Sequence, residues 1–140
     1  MRDTEIFWNF VAKVGWGTKT TDYKKLRRIF HKEYSPEFIR SMKEIAMEKR
    51  LELTAIMDRH AIKETGSIAS YWGVGDDGFW DLTAHIVGLG KEMYDFVCKN
   101  PIYAKTINYT ENFEYSFNIE REEKKYNTPI EVVTPQPLKD

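Results

Sequence analysis

Apolar residues recur along this chain at two different intervals. Over residues 4–14, TEIFWNFVAKV, Phe7, Phe10, Val11 and Val14 fall three or four apart, which predicts one face of an α-helix with Thr4 as its N-cap. Gly15 and Gly17 close it. A second helix is predicted from Asp22, with Tyr23, Leu26, Ile29 and Phe30 forming one stripe. Ser35, Pro36 and Glu37 then form a helix start: a hydroxyl cap, a proline at the first helical position and an acid in the first turn. The stripe that follows, Met42, Ile45, Ala46, Leu53, Ile56, Met57 and His60, carries a third helix to about Glu64, either the central helix of the core or broken once. Gly66 and Ser67 end it.

Two shorter helices follow. In DGFWDLTAHIV, Phe79, Leu82 and Ile86 share a face; in KEMYDFVCKN, Met93, Phe96 and Val97 point inward until Pro101 stops the helix. The interval then changes. Phe113, Tyr115, Phe117 and Ile119 alternate with Glu114, Ser116, Asn118 and Glu120, the period of a half-buried strand, and PIEVVTP offers a second strand. The charged residues 120–128 between them read as a solvated loop. The expected architecture is mainly α: about five helices in one compact domain over residues 1–105, a small β element over 106–134 on the same domain, and a flexible tail over 135–140.

Composition narrows the function classes. A chain of 140 residues supports one core. A formal net charge of −1 provides no global field to gather nucleic acid or an anionic membrane. One cysteine, Cys98, excludes an internal disulfide and fits a reducing compartment. The opening MRDTEIFWNF lacks a signal-peptide apolar run, and no window is long and apolar enough to span a membrane, so the expected location is the cytoplasm. Four Trp, eight Tyr and eight Phe are more than a minimal core needs, which leaves aromatics for a surface or groove.

The densest chemistry lies in YWGVGDDGFWDLTAH, residues 71–85. A calcium loop needs acids at alternate positions before its glycine and a later glutamate; here Asp76 and Asp77 are adjacent and only Asp81 follows. The simpler reading is a turn permitted by Gly73, Gly75 and Gly78, with Asp76 or Asp77 capping a helix and complementing its dipole. Asp81 and His85, four apart, would meet on one helix face, where the carboxylate would favour the protonated ring. His60 lies on an apolar stripe and forms H-x-x-x-E with Glu64. Without H-E-x-x-H, paired E-x-x-H or a Cys/His cluster, no metal and no cofactor is expected. Neither GWGTKT nor VGLGK is a phosphate loop, since the full spacing and the preceding strand are missing. Cys98 reads as a buried small apolar residue, and no nucleophile motif is present.

These residues support three readings. The first is a non-catalytic protein–protein interaction module of the inhibitor, immunity or anti-defence type, favoured because aromatics are abundant and catalytic motifs missing; pairing through the edge of residues 113–119 is one route to a partner protein. The second is a protein binding a small polar ligand or nucleotide, conceivably an enzyme, with a site drawn from Trp72, Asp76, Asp77, Trp80, Asp81, His85 and His60. The third and least favoured is nucleic-acid binding through the basic face of Lys24, Lys25, Arg27, Arg28 and Lys32.

The Phe7–Trp8 pair, the segments LRRIF and YSPEF, and DDGFWDLTAHIVGLGKEMYDFVCKNP, with Asp76, Asp77, Gly78, Phe79, Gly90, Asn100 and Pro101 in order, together resemble the bacterial domain-of-unknown-function family DUF4240 over residues 5–105. The segment before the turn is reduced to IASYWGVG, and the C-terminal strand region is an addition to the family's pattern. The resemblance implies a mainly helical fold and no particular activity.

Overall fold

In a computed structural model, residues 2–66, 71–110 and 112–121 are described. They form five α-helices, α1 (Asp3–Val14), α2 (Tyr23–Glu33), α3 (Pro36–Thr65), α4 (Gly75–Gly88) and α5 (Lys91–Lys99), and two 3₁₀ segments, η1 (Pro101–Thr106) and η2 (Phe113–Phe117). The mainly α expectation holds.

Local chemistry accounts for most helix ends. Asp22 Oδ1 accepts from the amides of Lys24 and Lys25, and Ser35 Oγ accepts from Phe38 N, so both predicted caps form. At α1 the cap is Arg2, two residues before the expected Thr4. Thr4 is instead inside the helix, and Glu5 Oε1 takes the Arg2 N–H. Gly15 and Gly66 end α1 and α3 in the left-handed region, which a side chain would resist.

The 30-residue α3 is unbroken. It packs against α1, α4, α5, η1 and η2, which makes it the central helix. Its buried face runs Ile39, Met42, Ala46, Arg50, Leu53, Met57 and Ala61, with an arginine in the middle of an apolar row. The last two turns of α4 are buried all round, from Leu82 to Gly88, because α3, α5 and η2 enclose them. On α5, Tyr94 and Val97 are buried. The predicted inward Phe96 is 46% exposed and meets Tyr103 of η1 edge-on, because η1 folds back alongside α5.

The largest departure concerns residues 113–119. The alternation predicts a strand, but residues 113–117 form a 3₁₀ turn, and there is no strand among the described residues. Phe113, Phe117 and Ile119 are buried and Tyr115 is exposed, yet Glu114 and Ser116 are buried too. Their polar groups are satisfied inside. Ser116 Oγ donates to Phe113 O at 2.6 Å, and Glu114 meets Arg50. With a partner for each polar side chain, the segment is no longer bound to a wet face, and it inserts as a plug between α2, α3 and α4. The second predicted strand and the tail lie outside the described residues.

Aromatic contacts tie the plug in place. Phe117 meets Phe30 at 5.5 Å and Phe10 at 6.2 Å between ring centroids, and Phe113 meets Trp16 at 5.2 Å. Gly88 lets α4 approach this cluster: a Cβ there would lie 2.7 Å from Trp16 Cδ1 and 2.9 Å from Phe113. Gly88→Ala should therefore destabilise the protein by about 2 kcal/mol through overpacking, read from urea unfolding. A variant as stable as wild type would show that the contact has room to spare.

Candidate functional site

The turn before α4 passes through Gly73 and Gly75, both at positive φ, so the helix begins at Gly75. Asp76 and Asp77 consequently lie within its first turn and act on the helix dipole; neither is the cap, a position held by Val74. Helical spacing then places Asp77, Trp80 and Asp81 on one face. That face looks across to the plug. Between them is a cavity of about 380 Å³ lined by Asp77, Trp80, Asp81, Asn112 and Tyr115. Trp80 and Tyr115 are each 46% exposed, so both aromatic side chains of the lining meet solvent.

Behind Trp80 lies the buried polar group of the domain. Arg50 Nε donates to Glu114 Oε2, with both side chains less than one-tenth exposed. The indole N–H of Trp80 also hydrogen-bonds Glu114, and the Arg50 guanidinium lies over the Trp80 ring, 3.9 Å from its centroid. Burial pushes Glu114 above the usual carboxylate range against the pull of Arg50. Asn112, at the entrance to η2, is 7% exposed, and its Oδ1 has no hydrogen-bond donor among the described residues. Tyr115 meets Tyr23 of α2 edge-on at 5.4 Å.

The two histidines considered with this stretch face elsewhere. His85 is 4% exposed in the core. Its Nδ1 accepts from Trp16 Nε1 at 3.0 Å and from Thr110 N at 3.3 Å. Both partners can only donate, so Nδ1 carries no proton and the neutral ring holds its hydrogen on Nε2. Burial pushes its pKa down to about 4, opposite in direction to what a carboxylate partner would cause. His60 instead hydrogen-bonds Tyr71 OH through Nε2 at 3.0 Å, and its ring lies 6.0 Å from that of buried Trp72. Trp72 in turn stacks on Phe79, and Lys105 Nζ lies 3.9 Å from the Tyr71 ring centroid.

The sequence candidates thus divide into three places. Asp77, Trp80 and Asp81 share the pocket, His85 is in the core, and His60 and Trp72 belong to an aromatic cluster between the end of α3 and the start of α4. Asp76 is exposed on the first turn of α4. Among the described residues, no group of three His, Cys, Asp or Glu side chains could hold a metal ion. Cys98 is half-buried, and burial raises its thiol pKa. Sequence reasoning missed Asn112, Tyr115 and the Arg50–Glu114 pair. The available signal was Arg50 itself, four residues after Ala46 and three before Leu53 on a buried row, a position that demands an anion from elsewhere in the chain.

On α2, Lys24, Lys25, Arg28 and Lys32 are exposed, and Arg27 lies 5.8 Å from the Tyr23 ring centroid. A broad open groove of about 700 Å³ is lined by Lys25, Arg28, Ile29, His31 and Lys32. Among the described residues, no helix is long and apolar enough to cross a membrane. No family model matches the chain, and no curated protein or solved structure matches it.

The setting of His85 has a measurable consequence. A folded pKa near 4 against an ordinary value of 6.5 means that the unfolded chain takes up the proton first as pH falls. Stability should be fully retained above pH 6.5 and lost as pH drops from there toward 4, by up to about 3 kcal/mol from this one group. His85→Asn should lower stability at neutral pH and flatten the pH dependence relative to wild type in that window, as measured by urea unfolding. Identical slopes for the two proteins would contradict the assignment.

Proposed function

We propose that this chain is a non-catalytic protein-binding module that docks a basic surface of another protein, in the manner of inhibitor, immunity or anti-defence proteins. The carrying observation is the open pocket lined by half-exposed Trp80 and Tyr115 together with Asp77 and Asp81. Exposed aromatics of this kind are the residues on which interface affinity concentrates, and acidic groups beside them steer a basic partner and reject an acidic one. A soluble cytoplasmic setting accords with the lone half-buried thiol.

The pocket favours this reading over an enzyme. His85 is engaged in the core and His60 in the Tyr71–Trp72 cluster, so neither imidazole lines the cavity as a general base. It also disfavours phosphate, which Asp77 and Asp81 would repel. The basic face of α2 keeps nucleic acid as the competing reading. The resemblance to DUF4240 contributes a helical fold to this picture and no activity.

The test is a comparison of immobilised wild-type protein with Asp77→Lys and Trp80→Ala, each first checked for wild-type folding. A partner retained by wild type should bind at least about 30-fold more weakly to Trp80→Ala, the loss of a hot-spot side chain, and should be displaced by salt. Equal retention by all three proteins, or a bound fraction that is nucleic acid, would overturn the proposal.

A further inference from the structure

We infer that the outward face of α3 is a docking surface for a second copy of this chain, and that two α3 helices pair antiparallel about a two-fold axis near Ala55. The groove on this face shares no lining residue with the pocket between α4 and η2, and the inference does not depend on the docking reading above.

At 3.6 residues per turn, Glu44, Glu48, Leu51, Ala55, Arg59 and Ile62 fall within about 40° of one line along α3, opposite the buried row of Met42, Ala46, Leu53 and Met57. All six are exposed, Leu51 at 57% and Ile62 at 51%. A shallow open groove of about 540 Å³ runs beside the first half of this line, bounded by Glu44, Met47, Glu48, Leu51 and Glu52. Two exposed apolar residues would carry nothing alone. The charges beside them identify the occupant.

Acids and bases on this face are segregated. Glu44, Glu48 and Glu52 lie on its first half, and Arg59 and Lys63 on its second, all exposed. The pairs Glu48 with Lys63 and Glu52 with Arg59 are symmetric about the same point, between Ala55 and Ile56. A second α3 crossing antiparallel at that point sets each of these acids beside a base of the other copy, and two-fold symmetry makes every pair twice. A parallel copy would set acids against acids. A foreign helix of one charge sign would match only half of the face, and the glutamates would repel nucleic acid or an anionic membrane. In the antiparallel arrangement Leu51 comes within one turn of Ile62 of the second copy, and the small side chain of Ala55 lets the helices approach closely where they cross. Glu52 Oε1 already accepts from Lys49 Nζ and from the Tyr94 hydroxyl, and a carboxylate has lone pairs for further donors. Half-buried Asp58 lies at the opposite edge of the face from Glu52. The paired stretch, residues 44–63, is about 30 Å long. One helix pair of that length sits near the small end of specific interfaces, about 1,200 Å², so the dimer is a weak one, with a dissociation constant on the order of 10–100 μM.

Sedimentation equilibrium of the full-length protein at low salt, from about 1 μM to about 1 mM, tests this. The mass should rise from one chain to two and stop there, because a two-fold contact closes on itself. Leu51→Asp, at an exposed position, should raise the dissociation constant at least about tenfold. The double variants Glu48→Lys/Glu52→Lys and Arg59→Glu/Lys63→Glu should each be monomeric alone and should form a dimer when mixed in equal amounts, since the mixture restores every opposite-charge pair. Each variant is first checked for wild-type urea unfolding. Because Glu52 also holds the Tyr94 hydroxyl, the single variants Glu48→Lys and Lys63→Glu are compared in the same way and leave that contact intact, with the same weakening alone and recovery on mixing. A wild-type protein that is monomeric at about 1 mM, assemblies that grow beyond two chains, a dimer unaffected by Leu51→Asp, or charge-reversed variants that stay monomeric when mixed would each overturn the inference.

Discussion

Arg50 is an arginine in the middle of the buried row of the longest helix, and the arrangement of the domain follows from what that charge requires. An unpaired guanidinium in this position would carry a desolvation penalty of several kcal/mol, so the chain must bring an anion to it. Glu114 is that anion, 64 residues further along. Bringing it in pulls residues 113–117 off the surface and makes them a plug, with Phe113 and Phe117 filling the space between α2, α3 and α4. The same carboxylate receives the Trp80 indole N–H, and the guanidinium lies under the Trp80 ring. One buried polar group therefore fixes the plug, the start of α4 and the aromatic wall of the pocket. The pair is valuable for specificity more than for net stability, because an apolar pair of similar volume could hold the same elements together.

This dependence explains which parts of the structure were legible in the sequence. Helices α2 and α3 were readable because Asp22 and Ser35 cap them locally and their stripes are long, and local rules act within a few residues. The segment 113–119 was not, because its fate depends on Arg50. An alternation of apolar and polar residues implies a half-wet strand only if the polar residues are wet, and here Glu114 and Ser116 find partners inside. Asp77, Trp80 and Asp81 could be placed on one face from their spacing. Asn112 and Tyr115, on the other side of the same cavity, could not, since nothing local links them to α4. The Asp81–His85 pair illustrates the reverse error. A spacing of four permits the contact, but the ring is buried and its Nδ1 is held by Trp16 and Thr110.

The chemistry of the surface follows from the same division. His85 and His60 are engaged by Trp16 and Tyr71, while aromatic faces and carboxylates line the opening. On the function proposed above, such a surface would serve to recognise a positively charged partner. The exposed lysines and arginine of α2 present the opposite sign on another part of the same small domain, so the molecule is strongly patterned despite a net charge of −1.

The central claim is that the Arg50–Glu114 contact organises the domain, and a double-mutant cycle on urea unfolding tests it most directly. Replacing either residue alone, by Arg50→Met or Glu114→Leu, strands a buried charge and should cost about 3–5 kcal/mol. The double replacement should be more stable than the sum of the two losses predicts, by at least about 1 kcal/mol of coupling. Additive losses, or single variants as stable as the wild type, would contradict the account.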